Sequence, residues 1–123
     1  MRESKIESNF ATHCKRIGVL TYKFTSPGRR DVPDRIVLVP KTPVFFIEFK
    51  APGEPLRSGQ AREIKLLRSL GYEVYVIDRP GIAESLIERI LDASLSSRGQ
   101  KLHAEYSEFY GVDRLRPWED SNS

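Results

Sequence analysis

The chain has one cysteine, one methionine and one tryptophan in 123 residues, and it contains no apolar run of eighteen residues. A lone thiol, Cys14, excludes an internal disulfide framework and a zinc finger or knuckle, which need several sulfurs at set spacings. Without a long apolar run no segment is suited to crossing a bilayer as a helix. The charged start M-R-E-S-K-I-E is unlike a secretory leader. No membrane partner and a cytoplasmic location are therefore expected. Repeats and low-complexity segments are absent too.

What is present describes a globular protein, with 39% hydrophobic and 30% charged residues. The length suits one domain with a real core, not two. The net charge of +3 hides an asymmetry: residues 1–70 hold 14 Lys and Arg against 7 Asp and Glu, while residues 71–123 hold 6 against 10. A polyanion would meet the first part, where Lys23, Arg29, Arg30, Arg35 and Arg57 lie. Taken alone, the count fits an ordinary solvated surface equally well.

Apolar spacing then lays out the elements. Ile6, Phe10, Cys14 and Ile17 mark a helix over residues 3–17, closed by Gly18. On it Glu7 sits at the edge of the buried stripe and can look into the sheet, whereas Glu3 suits an exposed helix start. Strands are expected at Val19–Phe24, Ile36–Val39 and Val44–Lys50, the last two joined as an antiparallel hairpin by Pro40–Pro43. A helix follows from about Arg57 to Leu70, with Gln60, Ile64, Leu67 and Leu70 on one stripe. Gln60, the polar member, points toward the sheet or is a satisfied structural amide. Glu73–Asp78 forms a strand whose helical crossover implies parallel pairing with the third. A last clear helix from near Pro80 carries Ile82, Leu86, Ile90 and Leu91. Residues 1–95 make the domain. Residues 96–123 are read as an extension with a short amphipathic helix through Leu102, Tyr106, Phe109 and Tyr110.

The stretch from Asp31 to Lys50 carries the chemistry. Side chains alternate along a strand, so Val44, Phe46, Glu48 and Lys50 face one way and Phe45, Ile47 and Phe49 the other. Two charges on so apolar a strand are costly unless paired or used. The hairpin brings Asp34 to Glu48 and Lys50. Two carboxylates and an ammonium suit a divalent cation and an anionic substrate. Phosphodiester hydrolysis needs such a cation and gains from a positive charge near the reacting phosphate. Oxygen ligands favour Mg²⁺ or Mn²⁺, held by Asp34 and Glu48 with the Phe49 carbonyl and Glu7 as further candidates. Lys50 fits the charge-stabilising role.

Pro33-Asp34 followed by Glu48-Phe49-Lys50 resembles the PD-(D/E)XK nuclease superfamily. More narrowly, the sequence is similar to the VRR-NUC (virus-type replication-repair nuclease) domain in its small stand-alone phage form. The stretches that carry this are Glu3–Glu7, Lys23–Gly28, Val32–Arg35, Phe46–Gly53, Gln60 and Leu70-Gly71, covering roughly residues 3–90. Arg30-Asp31 departs from the pattern, in which a small residue or glycine often precedes V-P-D. The resemblance implies an α/β, restriction-endonuclease-like core, a mixed sheet flanked by helices. It makes Asp34, Glu48 and Lys50 catalytic, with Gln60 and Glu7 completing the site. It further implies a homodimeric, metal-dependent DNA endonuclease of repair or recombination that cuts branched DNA such as four-way junctions, in a bacterial or phage-infected cell and without an organic cofactor. A flap or nicking nuclease, or an inactive DNA-binding module, are the alternatives. The plainest alternative is an ordinary α/β domain in which Asp34 pairs with Arg35 or Lys50 and Glu48–Lys50 is a tolerated ion pair.

Overall fold

The computed structural model describes residues 1–95, and the helix expected through Leu102 and Tyr110 lies outside the described residues. Three helices and four strands alternate as α1 (Glu3–Ile17), β1 (Leu20–Lys23), β2 (Arg35–Leu38), β3 (Phe45–Phe49), α2 (Ser58–Ser69), β4 (Val74–Ile77) and α3 (Ile82–Ser94). The architecture is α/β with one mixed sheet in the order β1-β2-β3-β4. β1, β2 and β3 form an antiparallel meander, and β4 joins β3 in parallel after the α2 crossover. A parallel pair needs such a long return, and α2 supplies it.

Two phenylalanines, an isoleucine and the pleat decide the layering. Phe45, Ile47 and Phe49 project from one face of β3 into a core with Ile6, Phe10 and Cys14 of α1 and Ala83, Ile87 and Leu91 of α3. Phe10 meets Phe49 with ring centroids 5.6 Å apart. Phe46 and Glu48 project from the other face, where α2 lies. There Phe46 packs against Phe24 and Tyr72 at ring separations of 5.7 and 6.3 Å. The sheet thus has a dry face beneath α1 and α3 and a mixed face beneath α2.

Local signals set the element ends. Gly18, at φ 81°, takes the left-handed conformation that closes α1, and the next amide, from Val19, donates to the Cys14 carbonyl at 2.9 Å. The strands are shorter at their ends than alternation suggests. Val44 lies outside β3 and is exposed. On α2, Leu70 is exposed rather than buried, because the helix ends at Ser69 and the chain turns at Gly71 with φ 97°. Glu63 takes the buried place instead. On α3 the buried stripe is Ala83, Ile87, Leu91 and Ser94, one residue round from the expected one, and Ile82 is exposed. Two apolar stripes run side by side there, and docking selects the one whose small Ala83 allows close approach.

Replacing the fully buried Phe10 by Ala should cost roughly 3–5 kcal/mol, the usual penalty for emptying an aromatic site in a core. Urea denaturation at neutral pH measures it. A loss below about 1 kcal/mol would mean that α1 does not pack on β3 as described.

Candidate active site

Antiparallel register assembles the site. β2 pairs with β3 through Arg35 opposite Ile47, so Asp34 arrives one step further on, beside Glu48 and Phe49. Its Oδ2 accepts the Phe49 amide N–H at 2.7 Å. Glu48 and Lys50 project from β3 and its end, and both are about 2% exposed. Lys50 Nζ stands 3.9 Å from Glu48 Oε2, a loose contact that leaves the ammonium free to serve another partner. Lys50 is fixed through its backbone, whose N–H donates to the Ile77 carbonyl at 2.8 Å.

Gln60 joins this site to α2. Its Oε1 accepts the Arg57 amide N–H at 2.9 Å, closing the first turn of the helix. Its Nε2 donates to Glu48 Oε2 at 2.9 Å. The amide is both a cap and a contact of the carboxylate, so Gln60 points toward the sheet and is also a satisfied amide.

The first helix contributes two glutamates with different surroundings. Glu7 is clamped: Lys23 Nζ reaches both its oxygens at 2.9 and 3.1 Å, and Arg35 Nε reaches Oε2 at 2.9 Å. Glu3, one turn earlier, lies close enough to Asp34, Lys50 and Glu54 for their charges to act on it. Burial, with Asp34 and Glu54 adding to it, pushes the Glu3 carboxyl above its ordinary value. Lys23 and Arg35, expected at the DNA surface, are thus turned toward Glu7. Arg29 chelates Glu63 at 2.7 Å, Arg57 reaches Asp31 at 3.5 Å, and Arg30 is exposed.

Of the ion pairs in the structural alternative, the Glu48–Lys50 contact at 3.9 Å is present and, among the described residues, those of Asp34 are not. Arg35 is committed to Glu7, and among the described residues Asp34 has no salt bridge. Burial is the main cause that lifts Asp34, countered in part by the Phe49 N–H and raised further by Glu7. Burial also drives Glu48 from an ordinary 4.5 to about 7, with Asp34 adding and Lys50 subtracting. Asp34 Oδ1 and Glu48 Oε1 carry no hydrogen bond among the described residues. Two neighbouring carboxylates with spare oxygens and raised proton affinity suit a hard divalent cation, whose charge would relieve their repulsion. Among the described residues no three Asp, Glu, His or Cys side chains form a ready-made metal cluster. The fit is therefore to a cation that keeps most of its water, as Mg²⁺ does.

A phage relative carries the same core. Over 86 residues the chain is 43% identical to "Putative nuclease p44" of Acyrthosiphon pisum secondary endosymbiont phage 1, covering 70% of this chain and 92% of the relative. A solved VRR-NUC domain superimposes with a TM-score of 0.63 and 26% identity, over 70% of this chain and 94% of that one. The chain belongs to the VRR-NUC nucleases. No family model matches it. The mixed sheet with three helices is the VRR-NUC fold, and the phage relative is named a putative nuclease.

Two carboxylates of this VRR-NUC domain, Glu54 and Glu3, come near the candidate site without having been expected there. Glu54 follows a left-handed Gly53 (φ 77°), and its side chain accepts the Ala51 N–H at 3.2 Å. No periodicity marks a residue in such a turn. Glu3 did carry a signal, since it sits one helical turn from Glu7 on a shared face.

The proton on Glu48 should show in the stability of the metal-free protein. The folded state holds that proton up to about pH 7, and the unfolded chain releases it near 4.5. The resulting stability is complete below about pH 4.5 and is lost as pH rises through 7, by at most on the order of 3 kcal/mol. Urea denaturation in EDTA at pH 5, 6.5 and 8 should show this decline in wild type and a flatter profile in Glu48→Gln. Parallel profiles would mean that Glu48 is ionised throughout.

Proposed function

We propose that this VRR-NUC domain is a Mg²⁺- or Mn²⁺-dependent DNA endonuclease selective for branched DNA, acting as a homodimer. The observation that carries the proposal is the convergence of Asp34, Glu48 and Lys50 on one face of the sheet, with Gln60 fixing Glu48. Asp34 and Glu48 would hold the cation, with the Phe49 carbonyl as a further ligand. When bound, the cation polarises the scissile phosphate and makes water a better nucleophile.

The chain's own residues do the rest. Gln60 pins one oxygen of Glu48 and leaves the other for coordination. The Phe49 N–H does the same for Asp34. Lys50, loosely held and buried, supplies a positive charge where negative charge develops on the phosphate. Glu7 or Glu3 holds a water at the rim. The Lys23–Arg35 clamp favours Glu7 as the carboxylate that orients Asp34 and Lys23 through charge. Its place beside Asp34 and Lys50, where it shares a hydrogen bond with Glu54, favours Glu3 as the residue nearer the substrate. Arg29, Arg30, Arg57 and Lys23 contact the DNA backbone, reading phosphate positions rather than base sequence. Selectivity for branched DNA then comes from the shape of the backbone. Two copies related by a two-fold axis would place the paired nicks that a four-way junction needs.

Labelled four-way junction, flap, duplex and single-stranded DNA, each with Mg²⁺, Mn²⁺ or EDTA, test the proposal. Wild type should cut the junction symmetrically and only with metal. Glu48→Ala and Lys50→Ala should lower cleavage by at least about a thousandfold, a loss of about 4 kcal/mol in transition-state stabilisation, while DNA binding persists. Equal activity in either variant would remove that residue from the mechanism. Cleavage of flaps or single strands alone would keep the chemistry and reject junction selectivity. Binding without cleavage would show an inactive module. Glu3→Ala and Glu7→Ala, compared in the same assay, identify the rim glutamate by the larger loss.

A further inference from the structure

A groove runs between the 28–31 loop and the first turns of α2, beside the active site. Its two lobes measure ≈ 520 and ≈ 570 Å³. Arg29, Arg30, Arg57, Arg62 and Lys65 line it, opposed by the carboxylates of Asp31 and Glu63. Glu63 chelates Arg29, and among the described residues no carboxylate lies within 4 Å of Arg30, Arg62 or Lys65. The groove is joined to the catalytic carboxylates through Gln60, which touches the Arg57 backbone at one end and Glu48 at the other.

Asp31 is set into this basic groove by two unusual local features. Its backbone sits at φ 65°, in the left-handed region that side chains other than Asn and Asp rarely adopt. Its carboxylate lies where a side chain on residue 59 would begin, so that a Cβ at Gly59 would collide with Asp31 Oδ2. Arg57 approaches the other oxygen at 3.5 Å. A strained backbone and a missing side chain both serve to put one negative charge among five positive ones.

We propose that the groove seats the DNA backbone flanking the cut, and that Asp31 is an internal substitute for a phosphate which the DNA must displace. The proposal rests on the nuclease reading and adds a regulating residue to it. With Asp31 in place, a strand that reaches only the groove gains little, because it must first break an existing contact. DNA that engages groove and catalytic carboxylates together gains enough to displace it. Asp31 therefore lowers the background of unproductive binding.

Fluorescence anisotropy of labelled duplex DNA in EDTA, over a series of salt concentrations, tests this with four variants. Asn keeps the shape and tolerates the left-handed backbone, so Asp31→Asn removes only the charge. Gly59→Ala leaves every charge in place and pushes the Asp31 side chain aside. Both should bind DNA roughly threefold tighter or more, with a plot of log affinity against log salt steeper by about one unit. Arg30→Gln and Arg62→Gln should weaken binding and flatten the same slope by about one unit. If Asp31→Asn and Gly59→Ala bind like wild type, Asp31 guards nothing. If Arg30→Gln and Arg62→Gln bind like wild type, the groove is off the DNA path. Either result overturns the groove proposal even while Glu48→Ala abolishes cleavage, which leaves the nuclease reading intact. Groove-dependent binding by a wild type that cleaves nothing would instead sustain the groove and reject the nuclease. A wild type that binds no DNA overturns both.

Discussion

Glu48 and Lys50 are almost wholly removed from water beside a half-buried Asp34, and the rest of the domain answers to that constraint. Charged groups in such a place are expensive, and the expense grows if partners are lost. Every element near them contributes a compensating contact. The Phe49 N–H serves Asp34, the Gln60 amide serves Glu48, and the backbone pairing to Ile77 fixes Lys50. The compensation is incomplete, since burial still lifts Glu48 to about 7. A site satisfied by protein alone would have no use for a cation. This one retains an unmet demand for positive charge, and that demand is what chemistry can draw on.

The second physical theme is the division of labour between the two sheet faces. The α1 and α3 side is apolar and closely packed, with Phe10 and Phe49 at its centre. It supplies the stability that lets the opposite side carry strain. On the α2 side sit the buried carboxylate, the charged groove and the left-handed Asp31. One strand, β3, serves both faces through the alternation of its residues. Phe45, Ile47 and Phe49 hold the fold while Glu48 and the following Lys50 face the candidate site.

Most of the fold and the centre of the site could be read in the sequence because they rest on short-period patterns. Alternation in F-F-I-E-F-K fixes the faces of β3, and the short Pro40–Pro43 connection fixes its antiparallel partner. Together they bring Asp34 to Glu48. Gln60 was legible as the polar member of an apolar stripe. The misses fall outside such patterns. Asp31 and Glu63 act through contacts with segments distant in sequence, Asp31 from a left-handed residue that no periodicity announces. Glu54 acts within a tight turn. α3 carries two parallel apolar stripes, so its phase was decided by the surface it docks on. The assignment of Lys23 and Arg35 to a DNA surface came from charge counting, which records sign but not direction. Arg35 turns inward to Glu7, whereas Lys23 pairs with Glu7 and keeps most of its side chain exposed.

The alternation in β3 also bears on how this chain tolerates insertions and deletions. A one-residue shift in the pairing of β2 with β3 would turn Phe45, Ile47 and Phe49 out of the core in the same movement that turns Glu48 into it. A two-residue shift would keep the hydrophobic layer but carry Asp34 away from Glu48, so one register alone satisfies both. A change of length in the Pro40–Pro43 connection puts that register at risk, because loop length and turn type set it in a hairpin. A single residue gained or lost within the strand turns its faces over. The core thus excludes every odd shift, and the meeting of Asp34 with Glu48 singles out one register among the even ones.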